Sequence, residues 1–145
     1  MEALSEKAAD YFLKGYNCAQ SVLMTMQERW GTSNELIPKI ATAFGAGIGR
    51  CGSVCGALTG GVMAIGIQYG TAEPSSEKRL KAYGFARELY RQFEARHGSV
   101  LCRELIGYNL SDSAQLEEAY QSNVFKNKCP AFVRTVIQIL LDFEI

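Results

Sequence analysis

The 145-residue chain has a single histidine, no net charge and no long apolar run, and each of these shortages excludes something. His97 stands between Arg96 and Gly98 at a predicted helix end, a place that suits a solvated side chain. Cysteine–histidine nucleophilic catalysis would have to use it, which weakens that class. Lys plus Arg number 15 and Asp plus Glu number 15, so nothing in the overall charge attracts a polyanion, and nucleic acid is not an expected partner. The least polar segment, Val54 to Tyr69, is too short and too rich in glycine to cross a bilayer, which takes ~20 apolar residues. The start, "MEALSEKAADYFLKGYN", lacks the basic residues and following apolar stretch of a signal peptide. The expectation is a cytoplasmic protein without membrane insertion. There is no P-loop lysine motif, no haem-attachment motif, no internal repeat and no low-complexity tract.

Apolar residues recur at helical rather than alternating spacing. Ala8, Ala9, Phe12 and Leu13 share one face of a first helix, which Gly15 stops. Asn17 caps "CAQSVLMTMQERW", with Val22, Leu23 and Met26 facing inward. Asn34 caps a third helix, "ELIPKIATAF", kinked or restarted at Pro38. After the turn "GAGIGRCGSV", a fourth helix, "CGALTGGVMAIGIQY", carries Gly56, Gly60 and Ala64 four apart, a small-residue face that admits a neighbouring backbone. The longest helix runs from Ser75 or Ser76 to about His97 and has a mixed face. Ser99 caps "VLCRELIG", Ser111 or Asp112 caps "SAQLEEAYQSNVF", and Pro130 opens the last helix. The predicted fold is an all-α single domain over residues 1–145, a bundle of roughly six to eight helices with the glycine-rich helix at its centre.

Four of the five cysteines fall at predicted helix N-termini. Cys18 follows Asn17, Cys55 opens the fourth helix, Cys102 lies in the first turn after Ser99, and Cys129 precedes Pro130. Free N–H groups and the helix dipole favour negative charge there, so each thiol is expected below its ordinary pKa of ~8.5. Lys14, Arg103 and Lys128 stand close by in sequence and add to the effect. Cys51 lies in the turn four residues before Cys55, close enough to pair with it if the turn folds back. In a reducing compartment such cysteines are free, redox-cycling, catalytic or metal-bound. "GIGRCG", Gly47 to Gly52, fits G-x-G-x-x-G, and Glu73 lies at the distance of a ribose acid. That fingerprint needs a preceding strand, and here a helix precedes it, so a nucleotide site is set aside.

The pattern "GYNCAQSV … CGALTGG … SVLCRELIG … CPAFV" resembles the C-GCAxxG-C-C family, with the central element reading CGAxxG in this chain. The resemblance covers nearly the whole chain and selects Cys18, Cys55, Cys102 and Cys129, the same four as the capping argument. It implies a redox role, with an iron–sulfur link open and no settled substrate. Two readings follow. One is thiol–disulfide exchange or electron transfer, with Cys18 and Cys55 as the preferred pair. The other is a metal or iron–sulfur module, with the four cysteines as ligands of a cluster or a zinc. A non-catalytic helical interaction protein is the third. The sequence names no redox partner and leaves self-association open.

Overall fold

The computed structural model describes residues 2–144. In chain order they form α1 (Glu2–Leu13), α2 (Cys18–Arg29), a 3₁₀ segment (Lys39–Phe44), α3 (Gly45–Ile48), α4 (Gly56–Tyr69), α5 (Ser76–His97), α6 (Cys102–Ile106), α7 (Ser113–Ser122) and α8 (Val124–Asp142). No strand forms among the described residues, and the all-α expectation stands. No helix among them is long and apolar enough to cross a membrane.

The caps follow local chemistry. The Asn17 side chain accepts from the Gln20 N–H at 2.9 Å, and Gln20 accepts in return from the Asn17 N–H at 3.1 Å. This reciprocal box starts α2. Ser75 caps α5 through the Lys78 N–H, and Asp112 caps α7 through the Gln115 N–H. Ser99 does less than expected: its hydroxyl accepts from the Leu101 N–H, but α6 begins only at Cys102 with Leu101 at the cap position. The expected α-helix after Asn34 is a turn followed by the 3₁₀ segment, because the Asn34 side chain bonds the Leu36 N–H and Pro38 supplies no donor.

The last helix also differs from expectation. Pro130 lies inside α8, which starts at Val124, just after Asn123 closes α7 in the left-handed conformation. The missing proline N–H leaves the Lys126 carbonyl without its helical donor, at a typical cost of ~3 kcal/mol. The helix persists because Phe132, Val133, Val136, Ile137, Leu140 and Leu141 form a buried stripe.

α4 sits at the centre, against α2, α5 and α8, while α1 lies across α8 and α2. Its small residues explain the position. A Cβ on Gly60 would stand 2.6 Å from the Ala19 carbonyl oxygen, and on the opposite side one on Gly61 would stand 2.7 Å from Val136 Cγ1. Val22, Leu23 and Met26 pack inward from α2 as the periodicity predicts, whereas Leu13 at the end of α1 is half exposed.

Candidate redox site

Backbone contacts, rather than the cysteines themselves, bring the N-terminal ends of three helices together. α2 and α4 approach so closely that a Cβ on Gly56 would lie 3.3 Å from both the Cys18 Cβ and the Ala19 nitrogen. Cys18, the first residue of α2, therefore lies beside the start of α4, where Cys55 holds the cap position. A two-stranded clip joins Cys55 to Cys102. The Cys55 N–H donates to the Val100 carbonyl at 2.8 Å and the Cys102 N–H to the Ser53 carbonyl at 2.7 Å, around an antiparallel bridge between Val54 and Leu101. Cys129 comes from inside α8, on the buried stripe that continues through Val133, Val136 and Leu140. It is not at a helix N-terminus. The continuity of α8 through Pro130 overturns that expectation.

The turn before Cys51 has an unusual shape. Ala46, Gly47, Ile48, Gly49 and Arg50 have φ of 56°, 67°, 67°, 55° and 70°, a run of five left-handed residues. The left-handed helix crowds an L-residue's Cβ against its carbonyl, at roughly 1–2 kcal/mol per residue. Three of the five are not glycine. The surroundings hold the conformation. The Gly49 N–H donates to the Ala43 carbonyl at 2.9 Å, and the Ser53 N–H to the Gly47 carbonyl at 3.0 Å. A Cβ on Gly47 would lie 2.6 Å from the Ser53 nitrogen and 2.8 Å from the Cys102 Cβ. Strain of this kind is retained where the neighbours over-determine it.

Cys18, Cys55, Cys102 and Cys129 all line one cavity of about 600 Å³. Cys55, Cys102 and Cys129 are buried, Cys18 is half-buried, and all are free thiols. The left-handed turn forms one wall through Ala46, Gly49 and Arg50, and α7 and α8 form another through Tyr120, Phe125, Lys126 and Phe132. Arg50 Nη2 donates to the Tyr120 hydroxyl at 3.1 Å across the space between the walls. Cys51 is exposed and does not line the cavity; it and Cys55 are both free thiols.

The thiols differ in acidity, and mostly not as helix dipoles alone predict. Burial pushes Cys55 up to about 12, against the pull of the Ala57 and Leu58 N–H groups. Burial, then the charge of Cys129, takes Cys102 up to about 11. Cys18 is raised well above its ordinary value, first because its S–H donates toward Cys129 and then by burial. Cys129 alone is lowered. Its largest support is the Cys18 hydrogen bond, with burial opposing and the Lys128 charge adding to the effect. The expectation of four acidic thiols is thus corrected. Desolvation leads at Cys55 and Cys102, the interaction with Cys129 leads at Cys18, and the same sulfur pairing lowers Cys129.

The donor set bears on the metal reading. Among the described residues, no three His, Cys, Asp or Glu side chains are grouped so that they could hold a metal ion. The four cysteines line one cavity without forming such a group, so this arrangement does not fit a shared zinc or cluster. His97 is half-buried and is not part of the cavity wall. Its Nε2 lies 2.9 Å from the Thr135 hydroxyl, and its ring packs between Phe93 and Phe132 at 4.8 Å and 4.9 Å. Burial, with the Arg96 charge, lowers its pKa. Arg50, Lys126 and Tyr120 escape sequence reasoning, since only the left-handed turn and the start of α8 at Val124 bring them to the thiols.

Fold and site together define an all-α protein with one cavity lined by four thiols. The chain belongs to the family described as Putative redox-active protein (C_GCAxxG_C_C), which it matches over residues 16–143. An uncharacterized protein of Archaeoglobus fulgidus is 28% identical over 136 residues, covering 87% of this chain and 83% of its own length. No solved structure matches the chain.

Proposed function

We infer that this protein works by dithiol–disulfide exchange, cycling Cys18 and Cys129 between two thiols and one disulfide. Cys55 and Cys102 are flanking thiols of the same site. Their place in the lining of one cavity carries the reading, and their acidities shift in opposite directions, with Cys129 lowered and Cys18 raised. This is the asymmetry that exchange requires, since the thiolate attacks and the neighbouring thiol resolves. Closing the pair from a Cys129 thiolate and a Cys18 thiol passes two electrons and one proton to an acceptor. Cys55, the partner preferred from sequence, has its N–H bonded to Val100 and its thiol held protonated by burial, so Cys129 replaces it as the partner of Cys18. A reducing compartment such as the cytoplasm suits a single domain with five free cysteines.

The test is a redox equilibrium against dithiothreitol buffers, read by mass after acid quench. A Cys51→Ser background removes the exposed thiol. A two-electron transition that disappears in both Cys18→Ala and Cys129→Ala, and survives in Cys55→Ala, is the expected result. A transition that survives loss of Cys129 contradicts the reading.

A further inference from the structure

The cavity beside the thiols is far larger than exchange between two sulfurs needs, and its chemistry is one-sided. At about 600 Å³ it falls within the range that holds whole small organic molecules. Its walls are mainly aliphatic and aromatic, with Phe12, Tyr16, Phe125 and Phe132 among them. Among the described residues two charged side chains line it, Arg50 and Lys126, both cations, and no carboxylate does. In a chain whose charges balance overall, that selection is local. Nor is Arg50 there by accident of a flexible loop. It ends the left-handed run, with φ of 70°, and is tied to the Tyr120 hydroxyl.

Resting on the dithiol reading above, we propose that the oxidant taken up at this site is a low-molecular-weight organic disulfide with an apolar or aromatic body and an anionic group. The anionic group sits at Arg50 and Lys126, and the body fills the aromatic cavity. The Cys129 thiolate attacks one sulfur of the substrate R–S–S–R, forming a Cys129–S–S–R bond and expelling RS⁻. Cys18 then attacks the Cys129 sulfur, the Cys18–Cys129 bond forms, and RSH leaves with the Cys18 proton. One disulfide is reduced to two thiols as one protein dithiol is oxidised. A cavity of this volume, partly open to solvent, takes up a small molecule whole.

The experiment uses the reduced full chain with Cys51→Ser. It is mixed with three disulfides: dianionic dithiobis(nitrobenzoate), neutral dithiodipyridine and dicationic cystamine. Each rate is divided by the rate of the same compound with dithiothreitol, which removes intrinsic reactivity. The proposal expects the normalised rate for the dianion to exceed that for cystamine by about tenfold or more at low salt, falling as salt rises. Arg50→Gln with Lys126→Gln, both exposed positions, should collapse that preference, bringing the normalised rate for the dianion down to that for cystamine. Equal normalised rates for anion and cation, or a preference the double variant does not change, overturn the substrate class while leaving the dithiol reading standing. If none of the three produces a Cys18–Cys129 disulfide, the dithiol reading itself is overturned.

Discussion

At the scale of single residues, what distinguishes the four cysteines is what each sulfur faces. Cys129 is acidic because the Cys18 S–H donates toward it. Cys18→Ala should therefore raise the Cys129 pKa. Cys18→Ser keeps a donor and should raise it less. Iodoacetamide alkylation against pH, with mass-spectrometric assignment, reads this directly, and equal midpoints in all three proteins would contradict it. The same profile should show Cys102 and Cys55 unreactive until pH approaches about 11 and about 12. The positions of Cys18, Cys55 and Cys102 at helix starts were legible in sequence. Their acidities were not, because position in a helix says nothing of desolvation. Cys129 was selected on a cap it does not occupy, and its acidity comes from a sulfur more than a hundred residues away in the chain.

The elements show a similar division. Asn17 and Asp112 announce α2 and α7, and the spacing of Gly56, Gly60 and Ala64 announces a close helix contact, since each is a local pattern. Gly60→Ala should destabilise the protein by about 1–3 kcal/mol, because the new methyl meets the Ala19 backbone, which cannot rotate away. An unchanged melting temperature would refute the packing. The left-handed turn had no local signature, for Ala46, Ile48 and Arg50 all disfavour it. It exists because Ser53 and Ala43 bond it and Gly47 fits against Cys102. Two substitutions separate conformation from crowding. At Gly49, where a Cβ meets nothing within 4 Å, alanine adds only the left-handed penalty of about 1–2 kcal/mol. Gly47→Ala adds a collision with the Ser53 nitrogen and should be clearly the more damaging in a thermal melt. Equal losses would mean the turn is not clamped.

For the whole molecule, buried thiols tie stability to pH. Cys55 and Cys102 are held above the ordinary value of 9.0 in the folded state, so they favour folding fully below that pH. As pH rises from 9.0 through about 11 and about 12, the unfolded chain loses those protons first and stability falls. Denaturant melts between pH 8 and 11 should show that decline, and Cys55→Ser should flatten it; a flat profile in the parent protein would show the thiols are not buried as described. The all-α class was legible because helical periodicity is continuous along the chain. The cavity was not, since α1, α2, α7, α8 and the left-handed turn build it from distant segments. The central claim is that Cys18 and Cys129 are the exchanging pair. The most direct test is mild oxidation of the Cys51→Ser protein, followed by non-reducing digestion and mass mapping of the linked peptides. A Cys18–Cys129 linkage as the dominant product is the predicted result; a dominant Cys18–Cys55 or Cys55–Cys102 linkage would contradict the account.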